Sequence, residues 1–187
     1  PGYTYSVMET SGDDRYDVTV TYSDDQDLTK NMVWSSGADA GTLNATVTNT
    51  LKNVKLENLV SVKKNLVGRA WTSFDEFVFT LETTDGTPLP DACKNQQSCE
   101  VSVKSDADSH TAAFGNITYD AGEADYTYYV TENEGSASAM HYSKAKYEVV
   151  VTVAKSADGE WEASVSSVKK VSDDNGNSAS EDQSGAE

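Results

Sequence analysis

Tyr126-Thr127-Tyr128-Tyr129-Val130-Thr131-Glu132 has a counterpart near the start of the chain, Tyr3-Thr4-Tyr5-Ser6-Val7-Met8-Glu9, and five of the seven positions agree. The stretches that come after them also agree: Tyr16-Asp17-Val18-Thr19-Val20-Thr21 stands against Tyr147-Glu148-Val149-Val150-Val151-Thr152. Alternation with period two is the mark of a strand with one buried face, because successive side chains leave a strand on opposite sides. Helical periodicity is weak nearly everywhere. The repeated order of strands means two copies of one β unit, and chains built this way are stalks or arrays more often than enzymes.

Working outward from the repeat, residues 2–9, 15–22 and 43–50 read as strands, with a turn at Asp24, Asp25 and Asp27. From Leu59 the pattern restarts. Residues 59–66, 76–83, 100–104, 111–117, 126–132, 146–155 and 160–168 read as strands, and Asp85-Gly86 and Asp158-Gly159 mark turns. Residues 71–74 read as a short helical turn. About seven strands in about 110 residues is a sandwich pattern. The expected fold is therefore all-β, with Ig-like β-sandwich domains in tandem. Residues 1–52 are the C-terminal half of one repeat. Residues 57–171 are a nearly complete second repeat lacking its last strand. Residues 172–187 are polar and acidic, with no aromatic residue, and read as an acidic loop or disordered tail.

Composition narrows the function. The hydrophobic share of 37% argues for small sandwich cores, and abundant Thr, Ser, Val and Tyr suit a half-buried pleated surface. A net charge of −17 repels phosphate backbones and anionic lipid, so neither nucleic acid nor a membrane surface is an expected partner. No run of about 18 apolar residues is present, so no membrane insertion is expected in this segment. The strand pattern is already under way at Pro1, which reads as a window on a longer protein, with export signals and wall anchors expected outside it.

The residues then become specific. Val60-Ser61-Val62-Lys63-Lys64-Asn65-Leu66-Val67-Gly68-Arg69, followed by Phe77-Val78-Phe79-Thr80-Leu81, Asp85-Gly86, Phe114-Gly115-Asn116-Ile117-Thr118-Tyr119 and residues 126–132, resembles the Gram-positive pilin isopeptide-linkage domain of streptococcal-type pilin backbones. The resemblance covers residues 57–170 in order and residues 1–50 as a partial copy. It implies that a first-strand Lys joins a last-strand Asn through an amide bond, promoted by a Glu on a middle strand. Lys64 matches the Lys, and Lys63 should face the other way by alternation. Glu132 matches the Glu. In the partial copy Glu9 matches the Glu and Asn49 the Asn. The partners of Lys64 and Asn49 are expected outside the fragment, because Asn175 and Asn177 stand in an acidic stretch and no Lys precedes Glu9.

The chemistry explains the residue types. An amine attacks only when neutral, and a dry site between apolar sheets favours the neutral amine and the neutral acid. A protonated carboxyl can polarise the carboxamide and relay protons as ammonia leaves. Such a reaction happens once, without an external substrate, so no enzyme is expected. Away from this resemblance, Lys64 reads as an edge lysine with its head in water, and Glu132 and Glu9 as solvated strand-end carboxylates.

Other candidates are weaker. Cys93 and Cys99 enclose a short loop and, in an exported protein, either pair as a disulfide or remain free thiols; pairing is the expectation. No second Cys or His pair has zinc spacing. His110 and His141 stand alone. Asp24, Asp25 and Asp27 lack the Gly and terminal Glu of a calcium loop. Trp34, Trp71 and Trp161 are scattered and read as packing residues. No Ser-His-Asp grouping, phosphate loop or cofactor fingerprint is present, so neither cofactor nor metal is expected. The expected function is a structural stalk or shaft domain of a Gram-positive pilin or adhesin, extracellular and either wall-anchored or pilus-associated. Its partners would be neighbouring repeats and a host surface ligand. The alternative is an adhesin module recognising host glycan or matrix protein.

Overall fold

The structure, a computed structural model, describes residues 2–22, 32–35, 45–84, 86–137 and 140–184. The expected turn at Asp24, Asp25 and Asp27 lies outside them, as does Asp85. The chain divides into two compact units, Pro1–Lys52 and Asn53–Glu187. Apart from a single 3-10 turn, Asp108–His110, the described elements are all strands.

The first unit holds β1 (Gly2–Tyr5), β2 (Tyr16–Tyr22), β3 (Met32–Ser35) and β4 (Ala45–Leu51). β1 pairs antiparallel with β3, and β2 with β4. The second pairing sets Tyr16, Val18, Val20 and Tyr22 opposite Leu51, Asn49, Val47 and Ala45. Directly opposed residues share a face. The ribbon is thus apolar on that face except for Asn49, while Asp17 and five threonines occupy the other.

The second unit is built in two layers. Its large sheet contains β7 (Glu76–Thr83), β8 (Ser98–Lys104), β11 (Ala124–Glu132), β12 (Lys146–Lys155), β13 (Trp161–Ser172) and β14 (Ser178–Asp182), in the order β14-β13-β12-β11-β7-β8. Two ribbons accompany it: β5 (Asn53–Leu56) with β10 (Ile117–Asp120), and β6 (Ser61–Lys63) with β9 (Thr111–Ala113). The core is written in the alternation. Phe77, Phe79 and Leu81 of β7, Tyr128 and Val130 of β11, and Val149, Val151 and Val153 of β12 are buried in one cluster with Val54, Leu56, Val60, Phe114, Ile117 and Tyr119. This is the packing expected of a β-sandwich, two apolar faces interdigitating.

Two local devices shape the edge of the large sheet. β13 carries a bulge: its register against β12 shifts between Val150 and Val151, so Ser166 has no direct partner. The extra residue returns Val168 and Lys170 to the face of Ala163 and Val165. The second device concerns residues 172–187, expected as a loop or disordered tail. The structure instead forms a turn and then β14 on the edge of β13. Asp173 accepts the Asn175 and Asn177 backbone N–H groups, each at 2.9 Å, which closes the turn. Edge pairing uses the backbone, so polar side chains do not forbid it.

Helical geometry over residues 71–74 is limited to a turn in which Asp75 N–H donates to the Thr72 carbonyl at 3.0 Å. Expected strand 111–117 is two strands, split at Phe114-Gly115-Asn116, where Gly115 takes φ +100°. That left-handed conformation suits glycine.

Two buried tyrosines satisfy each other inside the core. Tyr119 and Tyr128 hydroxyls meet at 2.9 Å, and Tyr128 donates to the Pro88 carbonyl at 2.8 Å. Burial pushes Tyr119 up to about 12 and Tyr128 further in the same direction, so both remain donors at physiological pH. Tyr128→Phe leaves the Pro88 carbonyl and Tyr119 hydroxyl short of a partner. We expect it to lower stability by roughly 1–3 kcal/mol in urea unfolding; an unchanged midpoint would show that water replaces the lost hydroxyl.

Candidate isopeptide site

The site arises from two inward rows. On β6 and its flanks, Val60, Val62 and Lys64 are spaced by two, and Val60 is buried in the core. On β11, Tyr128, Val130 and Glu132 are spaced by two, and the first two are core residues. Alternation therefore carries Lys64 and Glu132 inward at the ends of apolar rows. They meet: Lys64 Nζ lies 2.6 Å from Glu132 Oε1, with the two side chains 12% and 2% exposed. Lys63, as alternation requires, is exposed.

The surroundings are dry on one side and polar on the other. Lys64 Nζ sits 4.6 Å from the centroid of the Phe77 ring, a cation–π contact. Phe77 in turn packs edge-on against Trp71, and Trp71 stacks on His110 with ring centroids 4.1 Å apart. His110, expected as a surface residue, is thus half-buried and its carbonyl accepts the Lys64 backbone N–H at 3.0 Å. Glu132 Oε1 is fully buried, and among the described residues Lys64 is its polar neighbour. The other oxygen, Oε2, accepts the backbone N–H of Ser143 at 2.8 Å.

A groove of about 650 Å³ opens beside the pair, lined by Ser61 and Lys63 of β6 and by Val149, Val165 and Val168 of the large sheet. β6 bonds β9 through Val60 and Lys64, whose carbonyl and N–H meet Phe114 and His110. The backbone groups of Ser61 and Lys63 accordingly point away from β9, since successive residues of an antiparallel strand alternate the edge to which they bond. Among the described residues the groove thus presents a free strand edge, an apolar floor and a lysine–carboxylate pair at one end.

The other expected site residues lie elsewhere. Glu9 is exposed, in the coil after β1. Asn49 is exposed on β4, opposite Val18. Both belong to the first unit, whereas Lys64 and Glu132 belong to the second. Cys93 and Cys99 are joined by a disulfide. His141 is exposed. Among the described residues no group of three or more His, Cys, Asp or Glu could hold a metal ion, and no helix is long and apolar enough to cross a membrane.

Sequence reading did not find Ser143, Asp174 and Lys170. Ser143 Oγ donates to Asp174 Oδ1 at 2.6 Å, and Lys170 Nζ donates to Asp174 Oδ2 at 3.0 Å. These bonds, Ser143 first, hold the Asp174 carboxyl below its ordinary range. Ser143 acts on Glu132 through its backbone, which no residue type announces. Asn175-Gly176 signals a turn but not what the turn touches.

Layers of a sandwich with an amine and a carboxylate held together at the core edge, beside a strand-shaped groove, define an isopeptide-type β domain. Residues 60–180 match the family FctA, Spy0128-like isopeptide containing domain. The chain belongs to that family, which places it among pilin-type, surface- or pilus-located proteins. A search of curated proteins gave no match.

The pair has a measurable signature in this chain. Lys64→Met strands a buried carboxylate and should lower stability by about 3–5 kcal/mol, whereas Lys64→Met combined with Glu132→Gln should recover most of the loss. Denaturant unfolding of wild type, both single variants and the double variant gives the coupling. Additive losses would mean that the two charges do not depend on each other.

Proposed function

We propose that the chain is a load-bearing shaft domain of a Gram-positive pilus or wall-anchored surface protein, and that Lys64 and Glu132 form its bond-making centre. The observation that carries the proposal is the 2.6 Å contact between two buried charges at the end of a groove with a free strand edge. A final strand added to β6 would bring an asparagine carboxamide to Lys64, and family membership supports that reading.

The steps balance within the domain. A proton passes from Lys64 Nζ to Glu132 Oε1, which frees the lone pair of the amine and leaves the carboxyl group able to donate. The Nζ lone pair attacks the carboxamide carbon, and the acid proton stabilises the carbonyl oxygen as the tetrahedral intermediate forms. The C–N bond to the amide nitrogen breaks, and that nitrogen leaves as ammonia with the proton released by Nζ. One amide replaces another, with no redox change and no second turnover, so the domain is a self-modifying structural protein and not an enzyme.

Tandem Ig-like repetition fits the same role. In the first unit Asn49 is the polar residue on an otherwise apolar ribbon face, and Glu9 holds the place in its sequence motif that Glu132 holds in the second unit. Neighbouring repeats are then the partners of each domain. A tie between first and last strands closes a loop of about 100 residues, which by analogy with a disulfide restricts the unfolded chain by about 4–5 kcal/mol. It also carries tension directly between the domain ends.

Intact-mass measurement on the full-length protein that carries this chain tests the proposal. The mass should fall short of the sequence value by one ammonia for each completed domain, and Lys64→Ala or Glu132→Ala should each restore one. A full-length mass equal to the sequence value would sink the reading.

A further inference from the structure

Glu132 has two oxygens in different surroundings, and the difference is imposed by Ser143. Oε2 accepts the Ser143 N–H at 2.8 Å. A backbone nitrogen cannot accept a hydrogen bond. A proton placed on Oε2 would therefore oppose that N–H. Among the described residues Oε1 has no such donor; it is fully buried and faces Lys64 Nζ at 2.6 Å.

The N–H of Ser143 is itself fixed in place. Its hydroxyl accepts the Ala145 N–H at 3.0 Å and donates to Asp174 Oδ1 at 2.6 Å. Lys144 N–H donates to the Asp174 carbonyl at 3.1 Å, and Lys170 Nζ holds Asp174 Oδ2 at 3.0 Å. The turn that presents Asp174 is closed by Asp173: Gly176 N–H donates to its carbonyl at 2.9 Å, and its own N–H donates to Asn177 O at 2.8 Å. On the other side, Tyr142 packs against Phe77 with ring centroids 6.0 Å apart. Its hydroxyl would overlap a Cβ at position 135, so Gly135 leaves the room that the ring occupies. The acidic turn after β13 and the segment before β12 thus brace one backbone donor.

We propose that Ser143, held by Asp174, is the positioning residue of the bond-forming pair: it occupies Glu132 Oε2 and so confines the transferable proton to Oε1, the oxygen facing Lys64. This rests on the bond-forming role proposed above. A proton leaving Nζ then has one destination, from which it reaches an incoming carboxamide oxygen without a rotation of the carboxyl group. Asp174 and Lys170 touch no reacting atom and act through Ser143.

The test is the rate of ammonia loss after cell-free synthesis of the full-length protein, followed by mass spectrometry, alongside each variant's unfolding midpoint. Ser143→Ala and Asp174→Asn should slow the loss by roughly ten- to a hundredfold, the scale of a misplaced reacting group. Ser143→Thr, which keeps both the hydroxyl and the N–H, should restore the rate. Asp174 is largely exposed, 62% for its side chain, so Asp174→Asn should leave the unfolding midpoint near wild type. The amide proton resonance of Ser143 in wild type should move in Glu132→Gln, reporting the contact directly. Wild-type rates in both Ser143→Ala and Asp174→Asn would overturn the positioning role while leaving the bond itself established. Absence of any ammonia loss in wild type would instead overturn the bond-forming role, and the inference with it.

Discussion

The second unit is organised around a buried ion pair that nothing in hydrophobic packing would favour. Taking a lysine and a carboxylate out of water is expensive, and apolar residues of similar shape would serve a core at least as well. The pair persists because both rows that carry it are otherwise apolar. Val60 and Val62 commit one face of β6 to the core, Tyr128 and Val130 commit one face of β11, and the next inward position on each row is charged. A register slip of one residue would put both apolar rows in water, so the charges cannot leave without dissolving the core.

Around that constraint the remaining polar contacts are arranged to hold rather than to neutralise. Phe77 faces the ammonium, the Ser143 N–H takes one carboxylate oxygen, and the turn after β13 braces Ser143. A site poised for a single covalent step needs fixed geometry and little water, and both are supplied by strands instead of by loops alone. The groove beside β6 supplies the remaining requirement, an edge on which another strand can pair.

Much of this was legible in the sequence. The alternation in Tyr126-Thr127-Tyr128-Tyr129-Val130-Thr131-Glu132 gives the strand, whereas Glu132 by itself reads as a solvated strand-end carboxylate and only the family resemblance pointed to it as a site residue. Lys64 against Lys63 is settled by parity. The apolar positions that alternate along β7, β11 and β12 are the ones buried in the core. Other features were hidden for physical reasons. β14 has no alternation because it pairs through its backbone on an edge, so its acidic composition read as a tail. The bulge at Ser166 breaks parity and conceals that Val168 and Lys170 share a face with Val165. His110 looked isolated because stacking on Trp71 joins residues far apart in sequence. Ser143 was invisible because its contact with Glu132 is made by an atom every residue but proline possesses.

The central claim is that Lys64 is a nucleophile that ends in an amide, and peptide mapping of the full-length protein tests it most directly. Digestion with trypsin followed by tandem mass spectrometry should recover Lys64 uncleaved, inside a branched peptide joined to an asparagine-derived residue from a last strand. Recovery of Lys64 at the cut end of a linear peptide, with its amine free, would contradict the account.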